Sequence, residues 1–127
     1  MNTNIKFNYL YRDASNYKAW GSVIFDNPDE STLSYINTRL LNSFGMDRLF
    51  IASQIRIPDV FLYLDSDITI DDHCFHEFIS VEITSEAEDD KYRRSINKFI
   101  KEVKQQINTG WLSFDPSDPF LNSRIGF

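Results

Sequence analysis

The sequence predicts an α+β fold, with a mainly antiparallel sheet, made of a β-hairpin plus later strands, and two amphipathic helices packed on one face. Two segments, 5–12 and 74–84, alternate apolar and polar side chains with period two, which is typical of β-strands. Two others, about 29–44 and 85–108, repeat apolar side chains at helical spacing. The predicted order of elements is β-β-α-(α/β)-β-α.

The first two strands are expected to form a hairpin. In residues 5–12, isoleucine and aromatic side chains occupy every second position. Residues 13–18 are mostly turn formers, and the stretch WGSVIF at 20–25 again favours a strand.

The first helix is predicted to begin after Pro28, which cannot donate to a β-ladder, and to end near Phe44. Either Asp29 or Ser31 is placed to cap its N-terminus. Gly45 is placed to end it in a left-handed conformation. Its apolar stripe consists of Leu33, Ile36, Leu40, Leu41 and Phe44.

The middle of the chain, residues 47–64, fits neither period. We expect a short helix or an irregular segment before Pro58, a short strand over 60–64, and an acidic loop over 65–72. In the strand over 74–84, simple alternation would place Phe75, Glu77, Ile79, Val81 and Ile83 on one face and Cys74, His76, Phe78, Ser80, Glu82 and Thr84 on the other.

The second helix is predicted to begin within the acidic stretch 85–90, where Ser85 and Glu88 have capping-box spacing. It should run to about Asn108, because Thr109 and Gly110 then stop it. Its apolar stripe would consist of Tyr92, Ile96, Phe99, Ile100, Val103 and Ile107.

Residues 1–110 are predicted to form a single compact α+β domain, and residues 111–127 an apolar C-terminal tail. The tail carries more large apolar side chains than a solvated segment usually does. It is therefore expected to pack either on the domain or on a partner. Its candidate partner-binding anchors are Trp111, Phe114, Phe120 and Phe127.

The charge is concentrated in one part of the chain. The net charge is −6, and residues 65–90 contain ten acidic side chains and no lysine or arginine. Such a surface would repel nucleic acid, since binding to phosphates depends on cationic contacts. It favours a basic protein partner or a bound cation, with Asp65, Asp67 and Asp71 as candidate partner-binding residues, although it would equally serve solubility alone.

The sequence favours a cytoplasmic protein. Its longest apolar runs are far shorter than the roughly 20 residues that cross a membrane, and the N-terminus lacks the apolar region of a signal peptide. Cys74, the only cysteine, cannot form an internal disulfide and is interpreted as a small buried thiol.

One cluster has residue types that bind transition metals. Residues 71–77 contain both histidines, the cysteine and three acids. His73, His76 and Asp72 are the candidate metal ligands, and a transition metal would be the cofactor; no other cofactor is indicated. In a strand, however, His73 and His76 would point to opposite faces. The alternative is that His76 makes a structural hydrogen bond and that His73 is exposed.

The sequence carries no catalytic signature, which favours a non-enzymatic protein without deciding the question. Its four glycines lie far apart, so there is no phosphate-binding loop. Counted from Asp65, the twelfth position of a calcium loop would be His76 instead of glutamate.

The stretches KFNYLYRDASNYKAWGSVIFDNPD, IPDVFL and DHCFHEF resemble a group of small uncharacterised bacterial proteins. The resemblance covers roughly residues 5–84 and includes no catalytic motif. It implies a compact bacterial cytoplasmic domain.

The leading hypothesis is a non-enzymatic acidic interaction protein, of the kind that serves as an antitoxin, an immunity protein or an accessory component of a bacterial defence system. The alternative hypothesis is a metal-binding domain or metal-dependent enzyme centred on His73 and His76. Self-association through an edge strand or the tail, giving a homo-oligomer, is a third hypothesis.

Overall fold

A four-stranded antiparallel sheet, packed against two helices, forms the centre of the fold, which confirms the predicted α+β class. The computed structural model describes residues 3–64 and 67–116. The sheet order is β2-β1-β4-β3, so β2 and β3 form its two edges. The strands are β1 (Asn4–Arg12), β2 (Lys18–Phe25), β3 (Leu49–Phe50) and β4 (His76–Thr84), and the helices are α1 (Leu33–Phe44) and α2 (Ile96–Thr109).

The predicted hairpin is confirmed. β1 and β2 pair from Ile5 opposite Phe25 to Arg12 opposite Lys18. The alternating side chains of β1 point into the core, because a strand directs every second side chain to the same face. These side chains, each no more than 1% exposed, are Ile5, Phe7, Tyr9 and Tyr11.

The predicted face assignment of β4 is wrong, because a β-bulge interrupts its alternation. Phe7 pairs with Val81, but Tyr9 pairs with Phe78, so β4 has one more residue in this stretch than β1. The extra residue puts Phe78 and Val81 on the same buried face, although they are three positions apart. His76 joins them in the interior.

The first helix ends where predicted but begins later. Thr32 caps it by accepting from the Tyr35 backbone N–H at 3.2 Å, in place of Asp29 or Ser31. Gly45 follows the helix with the predicted positive φ, 77°, but its ψ of −168° places it outside the expected left-handed helical conformation. The buried stripe consists of Ile36, Leu40 and Phe44, with Leu33 and Leu41 partly buried beside it.

The second helix begins at Ile96, well after the predicted start, and the Ser85–Glu88 capping box does not form. Residues 85–95 lie outside any helix, and Ser95 is the cap. The reason is tertiary, since the backbone N–H groups of Asp89 and Asp90 donate to the Ile24 carbonyl of β2. Tyr92 therefore lies outside the apolar stripe, and its side chain is exposed.

Residues 47–64 are mostly irregular. After β3 the chain forms a 3₁₀-helical turn at Ala52–Ile55, which agrees with the expected short helix before Pro58. The strand predicted over 60–64 is wrong. The Val60 backbone N–H donates to the His76 ring instead of to a neighbouring strand, and Leu62–Leu64 forms a second 3₁₀ turn.

The core joins the sheet to α2 through aromatic rings. Phe99 of α2 stacks on Phe25 with 4.3 Å between ring centroids, and its ring meets Phe7 edge-on at 5.1 Å. Phe7 also stacks on Phe78 of β4. These contacts bury apolar area between four elements, α2, β1, β2 and β4, and such burial is the main stabilising term in a domain of this size.

A buried ion pair holds the irregular segments in place. The Arg94 side chain is only 1% exposed and donates to both carboxylate oxygens of Asp90, at 2.9 and 3.0 Å. It also donates to the backbone carbonyls of Ile55 and Arg56, at 2.9 and 2.8 Å. Burial alone would raise the pKa of Asp90, but the hydrogen bonds and charge of Arg94 outweigh it and hold that pKa below its usual value.

No helix in residues 3–64 and 67–116 is both long and apolar enough to cross a membrane.

We expect the substitution Arg94→Met to lower the free energy of unfolding by about 3–5 kcal/mol, because it leaves the buried Asp90 carboxylate without a positive charge and with backbone donors alone. Urea denaturation would measure the change. The double variant Asp90→Asn with Arg94→Met should lose less, since neither charge then remains buried. Lys98→Met removes an exposed cation from α2 and is the matched control. Equal losses in Arg94→Met and Lys98→Met would contradict this role of Arg94.

Candidate functional site

The candidate site is a cleft of about 460 Å³ beside edge strand β2. Three parts of the chain line it: Ser22 and Val23 of β2, the loop 53–59, and the segment 89–92. We call it the edge cleft. It combines an apolar lining with a few polar groups, as small-ligand and side-chain pockets usually do.

The side chains of Tyr9 and Val60 pack over Gly21, and this packing positions the loop that forms one wall of the edge cleft. A Cβ atom at residue 21 would lie 2.9 Å from both Tyr9 Cζ and Val60 Cγ1, so only glycine lets these side chains pack onto β2. The Tyr9 hydroxyl donates to the Pro58 carbonyl at 2.6 Å. The loop that carries Asp59 is thereby held against the strand.

The opposite wall consists of residues 89–92. The Asp89 carboxylate accepts from the Ile24 backbone N–H at 2.7 Å, which attaches this segment to β2. Tyr92 is 44% exposed, and the Arg56 guanidinium lies over its ring at 4.3 Å. The cation of Arg56 is already paired with Glu102.

Among the carboxylates that line the edge cleft, Asp59 has a buried oxygen with neither a hydrogen-bond donor nor a cation beside it in the described part of the chain. Its Oδ1 atom is buried, and no donor among residues 3–64 and 67–116 reaches it. Burial raises the pKa of Asp59 to about 6. Burying one oxygen of a carboxylate without a hydrogen bond is unfavourable, so Asp59 indicates a place where a positive charge in the cleft would be stabilised.

Asp59 is not among the site residues predicted from the sequence, because it lies before the acidic span 65–90. The available signal was its isolation, since Asp59 is the only charged residue in the stretch IPDVFLYL. A single acid inside an apolar run is either buried or next to a pocket, and here it is both partly buried and part of the cleft lining.

The predicted metal ligands are each engaged in the fold. His73 Nε2 lies 2.7 Å from the Arg12 carbonyl, and His73 Nδ1 accepts from the Phe75 backbone N–H at 3.0 Å. Asp72 accepts from the Tyr11 hydroxyl at 2.7 Å and from the Thr69 backbone N–H at 2.8 Å. His73 is partly buried, in contrast to the exposed position in the structural alternative.

His76 is fully buried, and its Nε2 accepts from the Val60 backbone N–H at 3.0 Å, which is the structural hydrogen bond expected in the alternative reading. Burial, and then the nearby His73, lower the pKa of His76 to about 3. Both histidines line one smaller cavity of about 360 Å³, because β4 begins only at His76 and His73 lies outside the strand. Within the part of the chain that the structure describes, no group of three His, Cys, Asp or Glu side chains could hold a metal ion.

Much of the acidic span serves the fold. Asp71 accepts from the Ser15 hydroxyl, whereas Asp67 is exposed and Asp65 lies outside the described residues. Cys74 is buried, and burial raises the pKa of its thiol. The acids of this span that bind groups within the protein are Asp71, Asp72, Glu77, Glu86, Asp89 and Asp90.

The first part of the tail packs on the domain. Trp111 packs against the core cluster, and Phe114 meets Phe61 edge-on with 6.4 Å between ring centroids. The Leu112 backbone exchanges two hydrogen bonds with the Gln54 side chain, at 3.0 and 2.7 Å. The two remaining predicted anchors, Phe120 and Phe127, lie outside the described residues.

We expect Asp59→Asn to stabilise the protein at pH 8, because it removes a buried charge. With a raised pKa in the folded state, Asp59 contributes no penalty below about pH 4 and a growing one as pH rises to about 6. After allowance for partial exposure, the gain should be about 1–2 kcal/mol at pH 8 and should nearly vanish at pH 4. Urea denaturation at both pH values measures it. Asp67→Asn, at an exposed acid, is the control, and an equal gain there would contradict the assignment.

Comparison of the chain with protein families, with curated proteins and with solved structures finds no match.

Proposed function

We propose that this protein is a non-enzymatic interaction protein that binds a basic protein partner by accepting a lysine or arginine side chain of that partner in the edge cleft. The observation that carries the proposal is the uncompensated carboxylate of Asp59 at the cleft wall. A cation beside it would supply the missing donors and would offset the penalty for burying the charge.

The charges around Asp59 favour a cationic ligand over an anionic one. Asp90 is paired with Arg94, and Arg56 is paired with Glu102, so neither pair adds net charge to the edge cleft. Asp89 accepts from a backbone N–H, which is an uncharged donor. Against these two acids, Lys91 supplies the remaining cation, and the cleft is acidic overall.

The lining also suits the stems of lysine and arginine side chains. Both carry an apolar stem behind a charged group, and Val23, Ile57 and Pro58 offer apolar contact for that stem.

Binding, as opposed to catalysis, fits the remaining residues of the edge cleft. A carboxyl group with a pKa near 6 is suited to acid–base chemistry, and Ser22, Ser53 and Lys91 also line the cleft, but no hydrogen bond among the described residues joins any of them to Asp59 as a catalytic pair would require. No histidine or cysteine is among the described residues that line the cleft. Acidic antitoxins, immunity proteins and accessory proteins of bacterial defence systems are the classes of cytoplasmic protein in which we place this activity.

Two small probes test the cation site directly. We expect blocked arginine amide, acetylated at its amino group, to shift the backbone NMR signals of Ser22, Asp59 and Tyr92, and blocked norleucine amide to leave them unchanged. Asp59→Asn should weaken arginine binding about tenfold or more, because it removes the charge-assisted hydrogen bonds. Asp67→Asn, which makes the same charge change at an exposed position, should bind like the parent protein.

Equal binding of the arginine and norleucine probes would overturn the proposal, and so would equal weakening by Asp59→Asn and Asp67→Asn. The first result would show that the edge cleft selects only apolar stems. The second would show that net charge, and not Asp59, attracts the probe.

A further inference from the structure

Half of edge strand β2 presents unpaired backbone groups. The Tyr17 carbonyl accepts from the Asp13 N–H across the hairpin. The N–H and carbonyl groups of the odd-numbered residues of β2 therefore point toward β1. The N–H and carbonyl groups of the even-numbered residues, beginning with Lys18, point away from the sheet. Ile24 confirms this alternation, since both its N–H and its carbonyl bind outward, to Asp89 and Asp90.

Residues 89–96 of the same chain cover the C-terminal half of the β2 edge. Beyond Ile24, the Asp26 carbonyl accepts from the Ile96 N–H at 2.8 Å, and Asp26 forms a parallel bridge with Ser95. The outward groups of Lys18, Trp20 and Ser22 have no such cover, and no backbone hydrogen bond from elsewhere in the described ranges reaches them. We call these three residues the open edge.

The open edge is continuous with the edge cleft. Ser22 belongs to both, and the segment 89–92 borders the cleft where it leaves β2. On the core side of β2, the residues beside the open edge are Ala19, which has a small side chain, and Gly21, which has none. A residue of an added strand that pointed to this side would therefore meet the cleft wall that carries Asp59.

We propose that the basic partner binds as an extended segment that adds a strand to the open edge and places one lysine or arginine side chain against Asp59. This proposal rests on the function proposed above and specifies how the partner is bound. Backbone hydrogen bonds to Lys18, Trp20 and Ser22 supply affinity for any extended chain, and the cation selects the sequence.

The other face of the added strand would contact Trp20. Its side chain is 63% exposed and lies on the outer face of the sheet, because residues 18, 20, 22 and 24 share that face. Neighbouring residues of an added strand point alternately to the outer face and to the cleft. Trp20 would thus pack against the residues on either side of the bound cation.

A second copy of this protein, paired through its own β2, would not bring a cation to the edge cleft. The β2 residues on the core side of the sheet carry no positive charge; they are Ala19, Gly21, Val23 and Phe25. Lys18 lies on the opposite face. Pairing between two β2 strands would therefore bury the Asp59 clefts without a positive charge, which is why the occupant is a basic segment of another protein.

The test uses a blocked heptapeptide with a central lysine between alternating threonine and valine. We expect it to bind the full chain more tightly than blocked lysine amide does, and to protect the N–H groups of Lys18, Trp20 and Ser22 from hydrogen exchange. Two versions methylated at adjacent backbone nitrogens should differ. The version methylated at the nitrogen that faces β2 should bind about tenfold more weakly, and the other should bind almost like the parent peptide.

The protein offers a matched pair of variants for the same test. Trp20→Pro removes the N–H of residue 20, which points away from β1, so no hydrogen bond between β1 and β2 is lost. Edge strands tolerate proline at such positions. Trp20→Ala removes the ring alone. We expect Trp20→Pro to bind the peptide at least about fivefold more weakly than Trp20→Ala does, through loss of a hydrogen bond, while both bind blocked lysine amide equally.

The outcomes separate the two proposals. If blocked lysine amide binds in an Asp59-dependent manner but methylation and Trp20→Pro change nothing, strand addition is wrong and the cation site stands. If neither probe depends on Asp59, the proposed function itself fails. A dimer of the free protein in sedimentation that Trp20→Pro dissociates and that the peptide does not would assign the open edge to a second copy and overturn the inference.

Discussion

The buried Arg94–Asp90 pair is the interaction on which the rest of the structure depends. Two long segments of this domain, 51–64 and 85–95, contain little regular structure, so their backbone groups need partners other than a helix or sheet. A single guanidinium supplies five donors in a fixed plane, and Arg94 uses them on Asp90 and on two carbonyls of the other segment. Both segments are thereby attached to the start of α2.

The edge cleft follows from that attachment. Residues 89 and 90 cover β2 at Ile24, Arg94 holds the 3₁₀ turn at Ala52–Ile55 beside them, and the loop after this turn carries Asp59 back over Gly21. The cleft is the space that remains between these irregular segments and the edge of the sheet. Irregular segments on a rigid scaffold commonly carry binding sites, because their side chains are not committed to the core.

Asp59 and Arg94 show opposite ways to accommodate a buried charge. Arg94 finds complete compensation within the chain, and its loss is expected to be destabilising. Asp59 has a buried oxygen without a donor, so the folded protein is less stable for keeping it ionised. A group that opposes stability but sits in a cleft is more readily explained by binding than by folding.

The sequence by itself determined the elements whose side chains repeat with a clear period: the hairpin, the C-terminal end of α1, the body and end of α2, and the antiparallel sheet. Only the tertiary structure decided the rest, because contacts distant in sequence outweigh local preference there. The bonds of Asp89 and Asp90 to Ile24 exclude the predicted helix start, the bulge in β4 changes the faces of its side chains, and His76 replaces a strand partner for Val60. The candidate site belongs to this second group, since Asp59, Ser22 and Tyr92 come together only through such contacts.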